Sequence, residues 1–102
     1  MNAAADPYER TEDRDGMRIT WHQRITMDDG LVLRADVYRP VEDVRCPVIL
    51  TYGIYAKGLS YQEGYPLQWG KMVEDYPEIL KGSTNKYQNW ETTDPECWVP
   101  HG

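Results

Sequence analysis

Ile19, Trp21, Gln23, Ile25 and Met27 alternate with Thr20, His22, Arg24 and Thr26. That period of two predicts a strand with one packed face and one wet face. Asp28, Asp29 and Gly30 follow with turn chemistry, and Leu31, Leu33, Ala35 and Val37 then alternate with Val32, Arg34, Asp36 and Tyr38. The two runs predict a β-hairpin. Arg39-Pro40 ends it, because the residue before proline is held extended and proline has no N–H for a ladder.

A different pattern begins at Pro47. Val48-Ile49-Leu50 is a continuous apolar run, too short for a helix, and it predicts a strand covered on both faces. The run breaks into Tyr52-Gly53-Ile54-Tyr55-Ala56-Lys57-Gly58, where two glycines bracket Tyr55 just past the strand end. In an open α/β sheet, ligands sit in that crevice. Residues 59–70 read as coil with one helical turn. Residues 71–81 read as a helix in pieces, with Pro77 starting a second turn and Gly82 ending it. The rest, from Ser83 onward, reads as a loop.

Residues 1–17 are polar and charged, with too little apolar surface to offset the entropy of ordering them, and are expected to form a mobile tail. Residues 18–102 then hold one hairpin, one two-faced strand, a broken helix and two long loops. Such loops are uncommon in a compact domain. A two-faced strand also needs layers above and below it that this inventory lacks. The chain is therefore expected to be the front end of a larger protein.

Composition narrows the classes. A net charge of -6 and a pI near 4.8 argue against nucleic acid, since phosphate binding needs clustered Lys and Arg. Acidity also disfavours an anionic membrane surface, and no apolar run approaches the ~20 residues of a span. The N-terminus has no basic start followed by an apolar core, so no signal peptide is expected and the cytoplasm is the default. Cys46 and Cys97 make no Cys-x-x-Cys pair and are expected to be reduced thiols. Four Trp and eight Tyr with no Phe mean that nearly every ring carries a polar group.

Motif chemistry is sparse. Asp28-Asp29 before Gly30 fits a tight turn better than an acid/base pair. His22 has no Cys or His at ligand spacing, and neither a metal nor a cofactor is expected. Ser60 and Ser83 lack the flanking glycines of a nucleophile elbow, and Gly53 to Gly58 lacks the spacing of a phosphate loop. His101-Gly102 has the first two residues of a lipase oxyanion loop without the glycines that follow. Trp69, Tyr87, Trp90 and Trp98 offer a different class of function, a small β-rich module that binds a ligand or partner through an aromatic loop.

Asp29-Gly30-Leu31-Val32-Leu33-Arg34-Ala35-Asp36-Val37-Tyr38-Arg39-Pro40, then Pro47-Val48-Ile49-Leu50, then Tyr55-Ala56-Lys57-Gly58, resembles the opening of the CocE/NonD hydrolases, the Xaa-Pro dipeptidyl-peptidase-like group of α/β-hydrolases. Order and spacing match over residues 18–58, and Asn85 to Pro100 looks like the approach to the next strand in a longer subgroup. The resemblance implies an α/β-hydrolase fold of which this chain is the N-terminal part, with a leading hairpin, a first core strand, long loops and a short helix. It implies a serine hydrolase that cleaves small ester or amide substrates, acyl or aminoacyl, through an acyl-enzyme. Tyr55 then corresponds to the tyrosine that donates to the oxyanion, and Lys57 to a family lysine with a structural or surface role. Ile54 stands where the family usually has proline. The nucleophilic serine, aspartate and histidine would lie beyond Gly102, on a continuation of the chain or a second chain, so these 102 residues alone are expected to be inactive.

Overall fold

The computed structural model describes residues 6–101, a mixed α/β chain with a three-stranded antiparallel sheet and short helices. It divides into two compact units, Met1–Val41 and Glu42–Gly102. The first unit is the sheet, with strands β1 (Arg10–Arg14), β2 (Met17–Thr26) and β3 (Val32–Pro40) in the order β1-β2-β3. The predicted hairpin is β2–β3. Its turn closes with Gly30 N–H on the Met27 carbonyl at 2.9 Å, Met27 N–H on the Leu31 carbonyl at 2.8 Å, and Leu31 N–H on Asp29 Oδ1 at 2.9 Å. Asp28 and Asp29 thus serve the turn.

Strand β1 corrects the expectation of a tail through residue 17, of which residues 1–5 lie outside the described residues. Arg14 pairs with Met17 across Asp15-Gly16, both at positive φ (50° and 78°). That is the two-residue turn whose twist matches flanking strands, and Asp-Gly suits it. The strand carries no apolar side chain; it is held by the ladder and by polar pairs. Arg18 Nε donates to Asp13 Oδ1 at 2.8 Å, and Trp21 Nε1 donates to Glu12 Oε1 at 3.1 Å. The Arg18 partner holds the Asp13 carboxyl below its usual range.

The alternation read along β2 breaks once. Thr20 pairs with Val37 and Gln23 with Ala35, so Trp21 and His22 together face Asp36 in a β-bulge. His22 takes φ of 58° there, and its N–H donates to Asp36 Oδ1 at 3.1 Å. Ile19 pairs with Tyr38 and Ile25 with Leu33. Tyr38 and Leu33 stand an odd number of residues apart on β3, so Ile19 and Ile25 lie on opposite faces of the sheet. Met17 and Ile19 are the buried apolar side chains of this sheet, while Ile25, Leu33 and Val37 are exposed. Burial pushes the Tyr38 phenol up to about 12, with the Asp36 carboxylate adding to it.

The second unit is a run of short helices: α1 (Tyr61–Gly64), α2 (Pro66–Asp75), a 3-10 turn at Pro77–Leu80, α3 (Pro95–Trp98) and a 3-10 turn at Val99–His101. Three of them start with proline at the first helical position, where its missing N–H costs nothing. The residue before proline avoids the helical region. Tyr65 and Tyr76 accordingly take nearly the same bend, φ -134°, ψ 63° and φ -136°, ψ 69°, and each ends one helix as the next begins. The expected break at Pro77 is present, α2 starts earlier than predicted, and α3 forms where only a loop was expected.

One expected element is absent among the described residues. Residues 47–53 form no strand, and Val48, Leu50 and Ile54 are 85%, 82% and 93% exposed. A buried strand is made by neighbours that pair with both its edges and cover both its faces. Among the described residues no such neighbour exists for this run.

Candidate functional site

Tyr55 lies at a bend just after the exposed apolar run and is half-buried. The loop that carries it is pinned on its C-terminal side. The Ala56 carbonyl accepts from Leu59 N–H at 3.3 Å and from Asn89 Nδ2 at 3.1 Å, and Gly58 turns the chain with φ of 79°. A cluster of aromatic residues begins immediately beyond, and it is the most built part of the second unit.

Tyr61, Tyr65 and Trp69 are spaced by four, which stacks them along one side of a helix. The bend at Tyr65 does not disrupt this, because Tyr65 N–H bonds the Tyr61 carbonyl and Trp69 N–H the Tyr65 carbonyl, both at 2.8 Å. Tyr61 and Tyr65 stack with centroids 5.2 Å apart. Trp90 reaches this column from the distant loop and stacks on Tyr61 at 5.7 Å and 19°, while Trp69 meets Tyr61 edge-on at 6.4 Å. The backbone follows the rings: Tyr61 N–H donates to the Gln88 carbonyl at 2.8 Å. Stacked and edge-on pairs of this kind each contribute about 0.5–1.5 kcal/mol beyond their buried area.

Beside the column is an open pocket of about 460 Å³. Tyr61, Trp69, Trp90, Met72 and Ile79 form its apolar wall; Ser83, Asn85, Gln88 and Asp94 stand among its polar lining. The polar side is rigidly wired. Asn85, 5% exposed and at φ of 60°, donates from Nδ2 to the Ile79 carbonyl at 3.0 Å and accepts from Gln88 Nε2. A left-handed φ suits asparagine better than most residues. Asp94 caps α3 by accepting from Glu96 N–H at 3.1 Å, and Ser83 Oγ donates to its other oxygen at 2.6 Å. Thr84 N–H and hydroxyl bond the Glu96 carboxylate, closing a reciprocal tie between residues 83–84 and the start of α3.

Of the aromatic residues singled out in the sequence, Trp69 and Trp90 line this pocket, whereas Tyr87 and Trp98 do not. Tyr61 was missed, although its spacing of four with Tyr65 and Trp69 signals a shared helix face. Ser83 meets Asp94 but no histidine. His22 sits at the bulge in the first unit, and His101 ends the last 3-10 turn with Gly102 outside the described residues. Ser60 is buried at the start of α1, its hydroxyl without a hydrogen-bond partner among the described residues. No group of three or more His, Cys, Asp or Glu suited to a metal occurs among the described residues. Cys46 and Cys97 are free thiols. No described helix is long and apolar enough to cross a membrane.

Comparison with protein-family models, curated proteins and solved structures gave no match.

Proposed function

We propose that this chain supplies the N-terminal part of a serine hydrolase of the CocE/NonD type, acting on small ester or amide substrates, with Tyr55 as one oxyanion donor. The observation that carries the reading is the run Val48-Ile49-Leu50, continuously apolar and left exposed within the second unit. A segment of that composition is stable when strands pair along both its edges and layers cover both its faces. A doubly covered strand here would hold Tyr55 at its carboxyl end, where a neutral phenol donates to developing negative charge without reorganising. The nucleophile, its base and the supporting acid belong to the remainder of the fold, as does most of what selects the substrate. On this reading the nucleophile is supplied by the remainder of the fold, so activity is a property of the assembled hydrolase.

The test is the mass of the intact protein in its native source together with its labelling by a fluorophosphonate serine probe. A species several times heavier than 11.9 kDa that labels supports the reading. In that species Tyr55→Phe should lower kcat by about 10²- to 10³-fold, the loss typical of one oxyanion donor, with KM little changed. A native species of 11.9 kDa that folds and does not label overturns it.

A further inference from the structure

We infer that the aromatic pocket of the second unit is a binding site for a compact organic cation, an ammonium group carrying a small hydrocarbon. Its volume of about 460 Å³ falls in the range of small-ligand pockets, and its wall of Tyr61, Trp69 and Trp90 is aromatic. Ring faces carry negative quadrupole density and attract cations, best of all at Trp. Aromatic lining would suit a neutral ring equally well; charge decides between them.

Asp94 and Glu91 both line the pocket, against a single Lys81. Asp94 is the informative one. Its partners are the Ser83 hydroxyl, the Glu96 peptide N–H and the Cys97 thiol, all neutral. Those bonds fix the carboxylate at the pocket wall and leave its charge unmatched by any cation among the described residues. A fixed anion in the same lining as Tyr61, Trp69 and Trp90, on a chain of net charge -6, favours a ligand whose positive charge is spread over an alkylated nitrogen. The site stands apart from the hydrolase reading, because its lining residues all belong to this chain and do not include Tyr55.

The experiment is a titration of the 102-residue chain, with indole nitrogens labelled, against choline and against its uncharged isostere 3,3-dimethylbutan-1-ol, followed by indole NMR shifts. Choline is expected to give saturable shifts at Trp69 and Trp90 and none at Trp21, with the isostere at least about fivefold weaker. Asp94→Asn keeps a side-chain acceptor for the Glu96 N–H and a good helix cap. It is expected to weaken choline about fivefold and to leave the isostere unchanged. Equal binding of the two ligands, insensitivity of choline to Asp94→Asn, or the absence of saturable shifts at Trp69 and Trp90 would overturn the assignment.

Discussion

The side-chain amide of Asn89 donates to the Ala56 carbonyl at 3.1 Å, joining the loop that carries Tyr55 to the loop that carries Trp90. Asn89 is itself held: its Oδ1 accepts from Trp90 N–H at 2.8 Å, and its N–H donates to Thr92 Oγ1 at 2.7 Å. The tie therefore joins Ala56 to a preformed turn. Asn89→Asp keeps the acceptor for Trp90 and removes the donor for Ala56. A hydrogen bond of this kind contributes about 1 kcal/mol net. Trypsin cleavage after Lys57 should accordingly run about fivefold faster in Asn89→Asp than in the parent chain. Equal rates would mean that the loop is held by something other than Asn89.

The bulge in β2 makes a second prediction. His22 holds φ of 58°, which a β-branched residue tolerates poorly, and its N–H depends on Asp36 Oδ1. His22→Val should destabilise the sheet by about 1–3 kcal/mol, while His22→Gly should cost far less. Urea unfolding followed at Trp21 reports the difference. If valine and glycine behave alike, the bulge is not a fixed feature of the hairpin.

That bulge also marks where the sequence stopped being legible. Strict alternation from Ile19 to Met27 places Ile19 and Ile25 on one face, and one extra residue sends them to opposite faces. Nothing in the periodicity announces the slip, because Trp21 and His22 fit either phase. Strand β1 was hidden for a different reason: it carries no apolar residue, and its visible signal is the Asp15-Gly16 turn. The hairpin turn at Asp28 to Gly30 and the break at Pro77 were readable because they rest on local backbone chemistry. The aromatic column was half readable, as a spacing of four, but the seat of Trp90 on Tyr61 depends on a contact between distant segments. Val48-Ile49-Leu50 read as a strand from composition, and among the described residues that composition has no partner to act on.

Asp94 and Glu96 set the chemistry of Cys97. Partial desolvation raises the thiol above its ordinary 9.0, and the two neighbouring carboxylates raise it further. Less thiolate is present at a given pH than an isolated cysteine would offer. Asp94→Asn removes one carboxylate and leaves the helix cap, so alkylation of Cys97 by iodoacetamide at pH 8 should accelerate by about two- to threefold. Adding Glu96→Gln should accelerate it again. A rate that falls in Asp94→Asn would show that the carboxylate promotes the thiolate, the opposite of this reading.

Asp6 fastens the start of the described chain to β3. It accepts from Tyr8 N–H at 2.9 Å and from Arg34 at 2.5 Å, and the Arg34 guanidinium lies over the Tyr8 ring at 5.5 Å. The Tyr8 N–H first, and the Arg34 bond second, hold its carboxyl below the ordinary 3.8. Lowering in the folded state means that the anchor's contribution is fully present above the unfolded value. It is then lost as pH falls through the lowered one. Tyr8 amide protection should therefore persist at pH 5, begin to weaken only below about pH 4, and be lost at a still lower pH where the folded-state carboxyl takes up its proton. Asp6→Asn should show weak protection at both pH values. Protection in the parent chain that does not change with pH would assign the anchor to another group.

The exposed run at residues 48–54 makes the most consequential prediction, because it separates a piece of a larger fold from a self-sufficient domain. An unpaired apolar stretch offers edge hydrogen-bonding groups together with a surface that water disfavours, the combination from which strands associate. The isolated chain should self-associate as concentration rises, and Val48→Lys with Leu50→Lys should hold it monomeric in sedimentation measurements without disturbing the indole shifts of Trp69 and Trp90. In a larger hydrolase the same two lysines would be driven between packed layers. Burying unpaired charge there costs several kcal/mol, so the double variant should fail to accumulate as folded, probe-reactive enzyme. If the lysines are harmless in both settings, Val48 and Leu50 lie on a surface that nothing covers, and the proposal of a first core strand falls with them.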